Sequence, residues 1–208
     1  MSRRPVRARA PRMSRGPDPA AMARAVRAFL KAAGLDLREP NLQGTPERVA
    51  EAWAQEFLEG YRRTAAAALT QRFPVSGGGG RELVVVTGLH FRSMCPHHLL
   101  PYSGRAHLAY LPGREVVGFG RLSALVDTFA HRLILQEELA RLVAQALVDE
   151  LGSGGAACLI EAEQTCFRLR GEEQHQAVTH SEAYLGALEE PALRAELWQR
   201  LGRKAGRR

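Results

Sequence analysis

The 208-residue chain predicts an α+β protein in which an antiparallel sheet is backed by helices. Three observations carry this. The hydrophobic spacing is helical up to about residue 80 and alternates from Arg81. The elements then run as two strands, two helices and two strands. Glycine and proline clusters punctuate the segments at Gly77-Gly78-Gly79-Gly80, Pro112-Gly113 and Gly152-Ser153-Gly154-Gly155.

Residues 17–33 form the first expected helix, because Ala21, Met22, Ala25, Val26, Phe29 and Leu30 recur at helical spacing and Gly34 can stop it. A second helix starts at Thr45-Pro46-Glu47-Arg48. There Thr45 suits the N-cap, Pro46 the first turn, and Val49, Trp53 and Phe57 make a stripe closed by Gly60. A short helix and the glycine joint fill residues 64–81. Strands are expected at 82–87 and 104–111, and helices at 121–129 and 135–151, the longer one burying Leu139, Leu142, Val143, Ala146 and Leu147. Strands follow at 156–169 and 177–184, then a helix at 191–201. The organisation read from this is a disordered basic tail at 1–16, a helical region at 17–62, a catalytic domain at 63–188, and a C-terminal helix with a basic tail at 189–208.

The net charge of +7 is confined to the ends. Six arginines without an acid give residues 1–16 a charge of +6, and residues 203–208 carry +4, which leaves −3 on the body between them. Like-charge blocks of this kind are solvated extensions, so no nucleic-acid partner is expected. No run of roughly 18 apolar residues exists, and no signal-peptide pattern opens the chain. Three cysteines are too few for a disulfide framework, so a cytoplasmic protein with reduced thiols is expected.

Chemistry concentrates in Cys95-Pro96-His97-His98, one thiol and two imidazoles in four residues. Cys166, with Arg168 and Arg170 close by to favour a thiolate, is the other cysteine in polar company. Cys158 sits among apolar residues and reads as a small buried hydrophobe. Thiolate and imidazole are the ligands Zn²⁺ prefers. Two cysteines and one histidine fill three tetrahedral positions, and the fourth, left open, separates a catalytic site from a structural one. Adjacent histidines diverge, so one of His97 and His98 suits a ligand and the other a proton carrier. Read on its own, Gln136-Glu137-Glu138 is a polar helix start with acids on the helix dipole, and Arg48 is a solvated first-turn side chain.

Thr45-Pro46-Glu47-Arg48-Val49-Ala50, Cys95-Pro96-His97-His98-Leu99, Leu135-Gln136-Glu137 and Cys166 with Arg170-Gly171 stand in register over roughly residues 20–188, and together they resemble the GTP cyclohydrolase I family as a divergent member. The resemblance implies the tunnelling fold, preceded by N-terminal helices and assembled into rings, with a decamer of two stacked pentamers. It implies Cys95, His98 and Cys166 as zinc ligands and His97 as a catalytic histidine. Gln136 and Glu137 would hold the guanine. Arg170 would bind the triphosphate, and Arg48 would do so from a neighbouring subunit. The implied reaction is hydrolytic opening of the imidazole ring of GTP, with loss of formate and closure to 7,8-dihydroneopterin triphosphate, the entry to tetrahydrofolate and pterin synthesis. Protons must move at each bond-breaking step, which suits imidazoles beside the metal.

The chain departs from the family pattern at several places. Gln164 stands where a second catalytic histidine is usual. A carboxamide can hydrogen-bond but cannot titrate near pH 7, and losing one general acid/base can cost about 10²–10⁴ in rate. Pro96 replaces an acid. Gly120 and Ala124 replace a serine and a basic residue, while Arg121 keeps one charge for phosphate. His175 and His180 follow the Cys166 segment and read as exposed loop histidines, with a substitute proton donor as the other reading. Two alternatives to a working cyclohydrolase are a zinc hydrolase that stops at a ring-opened nucleotide or serves a specialised pterin or deazapurine pathway, and a catalytically silent nucleotide-binding member of the fold.

Overall fold

The computed structural model describes residues 15–75, 82–170 and 176–205, with side chains up to residue 202. The Arg-rich start to residue 14, the glycine joint, Gly171, His175 and the far end of the basic tail lie outside the described residues.

Helix α1 (Pro19–Ala32) begins at Asp18, whose carboxylate accepts the Ala21 N–H at 2.9 Å. None of its residues is fully buried; Met22, Val26 and Leu30 are half-buried, and Phe29 is 71% exposed, so its apolar stripe is only partly covered within one chain. Helix α2 (Thr45–Ala52) is capped by Gly44 rather than by Thr45. Gly44 takes φ 71°, and the Thr45 hydroxyl accepts from Arg48 Nη2 at 3.0 Å instead of from a backbone N–H. A π turn (Trp53–Phe57), a 3₁₀ turn (Glu59–Arg62) and α3 (Ala65–Ala68) lead to the sheet.

Strand β1 (Arg72–Pro74) pairs with β4 (Glu115–Val117) in a separate antiparallel ribbon. Three residues, one of them proline, are too short a run to register as strand in a sequence. The main sheet has the order β2-β3-β5-β6, all antiparallel: β2 (Val84–Met94), β3 (Pro101–Leu111), β5 (Gly155–Gln164) and β6 (Thr179–Gly186). Helices α4 (Phe119–Ala130) and α5 (Gln136–Leu151) cover one face, which bears out the α+β expectation. Along β5, Ala156, Cys158 and Ile160 face the core under these helices, while Ala157 and Leu159 meet Leu197 of α7 (Pro191–Ala205) on the other face. Cys158 is fully buried, as its apolar neighbours predict.

Strand β5 is shorter than expected. It stops at Gln164, and Thr165–Arg168 coils into the single turn α6, closed by Leu169 N–H donating to Thr165 O at 3.0 Å. The reason is its partner. β3 begins at Pro101, and Tyr102 opposite Gln164 is the last ladder pair, so nothing remains for the next residues to bond. Cys166 is therefore on a helical turn and not on a strand.

Gly104 of β3 packs directly against the β5 backbone. A Cβ built there would meet Glu161 O at 1.9 Å and Ala162 Cα at 2.7 Å, both backbone. Gly104→Ala is expected to destabilise the fold by about 2–3 kcal/mol, since the strands must part to admit it. A lowered thermal midpoint checks this, and an unchanged one contradicts the packing described.

Candidate metal centre and the cavity beside it

Half of the site is the β2–β3 turn. Cys95 N–H donates to Leu100 O at 2.9 Å, and Leu99 N–H donates back to Cys95 O at 3.0 Å. Leu99 closes the turn at φ 55°, a left-handed conformation seldom held by a side chain with a Cγ branch. The turn buries Cys95 and exposes His97 and His98, whose rings stand 6.2 Å apart at 79°. The two imidazoles diverge, as expected of neighbours.

The other half comes from the end of β5. Met94 pairs with Pro101, and Gln164 pairs with Tyr102, so Cys95 and Cys166 leave adjacent ends of one sheet. The α6 turn then swings Cys166 back towards the hairpin. One ligand atom from each of Cys95, His98 and Cys166 lies within 4.8 Å of the others, and Cys95 Sγ is 3.6 Å from His98 Nδ1. Zn–S and Zn–N bonds of roughly 2.3 and 2.0–2.1 Å place tetrahedral donors about 3.6–3.8 Å apart, so this set fits a cation of that kind with slight contraction. Among the described residues it is the group with donors placed to hold a metal. His97 is not part of it.

The Cys166 thiol is held above its ordinary range. Burial is the largest cause, Cys95 beside it acts in the same direction, and Arg170 pulls the other way. Arg168, expected to favour the thiolate, is paired with Glu163. Two neighbouring sulfurs do not both ionise without a cation, whereas a coordinated thiol is deprotonated outright.

Beside the cluster is a cavity of about 220 Å³, lined by Cys95, His97 and Cys166 on one side and by Gln136, Glu137 and Gln164 on the other. Gln136 and Glu137 sit there because α5 starts at Gln136, one residue past its cap Leu135. The Gln136 carboxamide is turned into the protein. Its Nε2 donates to Ile160 O at 3.3 Å and Thr179 O at 3.1 Å, and its Oε1 accepts from Gln164 Nε2 at 2.8 Å. Glu137 is exposed to the cavity. Tyr102 and Thr179 also line it and were not foreseen. The Tyr102 hydroxyl donates to Ile134 O at 3.0 Å, and burial raises its pKa. Only strand register brings Thr179 opposite Ala162 and hence to the cavity wall, and a single sequence does not state register.

The three arginines expected near phosphate do not line this cavity. Arg48 donates to Gln43 O at 2.9 Å, Arg121 Nε donates to Gln71 Oε1 at 3.2 Å, and Arg170 is exposed. A larger cavity, about 710 Å³, lies over the sheet face that α4 and α5 leave open. It holds His180, opposite Glu161 in register, but no thiol, so His180 is away from the cysteine cluster.

Fold and site together define an α+β protein with a Cys-His-Cys group able to hold a metal, set at the edge of a polar cavity. The GTP cyclohydrolase I family model matches residues 22–202. "GTP cyclohydrolase 1" of Leifsonia xyli subsp. xyli is 42% identical over 90% of this chain and 97% of its own. The proteins of the same name from Chromobacterium violaceum and Deinococcus radiodurans are each 39% identical, over 84% and 82% of this chain and 84% and 78% of theirs. The chain belongs to the GTP cyclohydrolase I family. A solved archaeosine synthase QueF-Like protein in the apo form covers 52% of this chain and 97% of its own at 18% identity and TM-score 0.43, a likeness too slight to argue from.

Proposed function

We propose that this protein is a working GTP cyclohydrolase I, opening the guanine imidazole ring of GTP, releasing formate and forming 7,8-dihydroneopterin triphosphate. The observation that carries the reading is the clustering of Cys95, His98 and Cys166 at the edge of a cavity lined by Cys95, Cys166 and Glu137, in a chain of this family. Zn²⁺ is the proposed metal; those three residues would hold it, and when bound it would supply Lewis acidity to the hydrolysis. Glu137 accepts hydrogen bonds from the N1–H and 2-amino group of guanine. Gln136, with its side chain engaged inside the protein, serves the base through its main chain. His97 carries protons at the cavity mouth, and Gln164 orients the reacting groups as a hydrogen-bonding partner.

A cavity of about 220 Å³ accepts a purine base but falls below the roughly 300–1,000 Å³ usual for a whole ligand of drug size. The triphosphate is therefore assigned to Arg170 at the rim and to Arg121 and Arg48, with Arg48 supplied by a neighbouring copy. The exposed Phe29 on the partly covered stripe of α1 suits burial in an oligomer, and the proposed assembly is a tunnelling-fold ring, a decamer of two pentamers. No described helix is long and apolar enough to cross a membrane, and the cysteines are unpaired. The proposed location is the cytoplasm.

Gln164 favours a second reading, in which the protein stops at a ring-opened nucleotide. Zinc-loaded protein incubated with GTP separates the possibilities. Formate together with a pterin that fluoresces after oxidation is the expected result. Ring-opened nucleotide without formate establishes the second reading, and bound but unconverted GTP would mark a silent member of the family. Glu137→Gln is expected to weaken GTP binding by roughly 10–150-fold, the value of a charged hydrogen bond, and a KM for GTP unchanged by it removes Glu137 from the base site.

A further inference from the structure

The cavity wall opposite the cysteines is a chain of three side chains, and its donors and acceptors have a fixed direction. Gln136 is 3% exposed. Its Nε2 faces two carbonyl oxygens, Ile160 O and Thr179 O, which can only accept, so the amide cannot flip without setting oxygen against oxygen twice. Its Oε1 is thereby forced towards Gln164 and Thr179. It receives Gln164 Nε2 at 2.8 Å and lies 2.7 Å from Thr179 Oγ1, which is also 3.0 Å from Ala162 O. A residue at position 164 must therefore present a hydrogen to Gln136. A carboxamide does so with Nε2, and its carbonyl oxygen is the end left for the cavity.

We infer that Gln136 is a positioning residue: anchored by Thr179 and two strand carbonyls, it fixes the Gln164 amide so that Gln164 offers reacting groups a hydrogen-bond acceptor of set orientation. The inference rests on the proposed reaction for its kinetic consequence, while the relay itself is structural. It also accounts for how an uncharged side chain serves at position 164. A neutral imidazole there would satisfy the same demand, with one ring N–H on Gln136 Oε1 and the other nitrogen left as acceptor. An ionised carboxylate would not, because it has no hydrogen to give.

The test is a double-mutant cycle on kcat for formate release, using Gln136→Met, Gln164→Leu and the pair together. Each single change is expected to lower kcat about 10–100-fold, the range for residues that orient others in a site, with KM for GTP within about threefold. In the Gln164→Leu background, Gln136→Met is expected to cost nothing further. Losses that multiply overturn the inference, since Gln136 would then act other than through Gln164. Should Gln136→Met not fold, Thr179→Val, which loses the second hydrogen bond at Gln136 Oε1 but keeps the shape, takes its place in the cycle under the same criterion.

Failure of the underlying reaction is separately visible. If the wild-type protein releases no formate, the functional reading fails, and crystal structures of the wild-type and Thr179→Val proteins still score the relay. A Gln164 side chain that holds its place and partner in Thr179→Val overturns the anchoring role.

Discussion

Replacing Cys166 with alanine is expected to lower formate release from GTP by about 10³-fold or more and to strip the protein of its metal. Three donors are the fewest that hold a catalytic zinc, and each site of this kind relies on its thiolates for affinity. Cys166 reaches the cluster only through the α6 turn, which leaves its side chain partly exposed and outside the main core, so its loss opens no large cavity in the fold. The variant should therefore keep its circular dichroism and its oligomeric state while its metal content falls from one per chain towards zero. Cys158→Ala is the matched control. Its thiol is fully buried on β5, and burial drives its pKa far upward, so it stays a neutral thiol. That change is expected to cost about 1 kcal/mol of stability and to leave metal content and turnover intact. Loss of metal in Cys158→Ala but not in Cys166→Ala would reverse the assignment of the two cysteines.

Replacing His97 with alanine is expected to lower kcat by about 10²–10⁴ while the metal stays bound. His97 lines the cavity but stands outside the group of ligand atoms, with its ring turned 79° from that of His98. The two adjacent histidines thus separate in experiment. His98→Ala should lose metal and activity together, and His97→Ala activity alone. Gln164 carries no ionisable group, so His97 is the imidazole left on the cavity wall. Metal loss in His97→Ala would show that the turn presents the other imidazole to the cluster.

The sequence makes the fold class plain because the period changes at Arg81 and stays regular afterwards, and α5 carries its buried stripe almost residue for residue. What it does not disclose depends on partners distant along the chain. β1 and β4 are strands only because they pair with each other, and β5 ends at Gln164 because Pro101 ends its partner. The cap of α2 moved from Thr45 to Gly44 because Arg48 takes the threonine hydroxyl. In the site, Cys95, His98 and Cys166 were legible from residue type and from the family resemblance, and the strand register explains how they meet. The inward turn of Gln136 was not legible. It depends on the carbonyls of Ile160 and Thr179, which no spacing rule brings beside the start of α5. The arginines mark the opposite limit. Their charge suits phosphate, but within one chain they lie off the cavity.

Zinc titration of the chelator-stripped protein, followed by formate release from GTP, tests the central claim most directly. The account predicts no release without metal, a linear rise on addition of zinc, and a plateau at one equivalent per chain that is absent in Cys166→Ala. Formate released at an undiminished rate by the metal-free protein, or a plateau unaffected by Cys166→Ala, would contradict it.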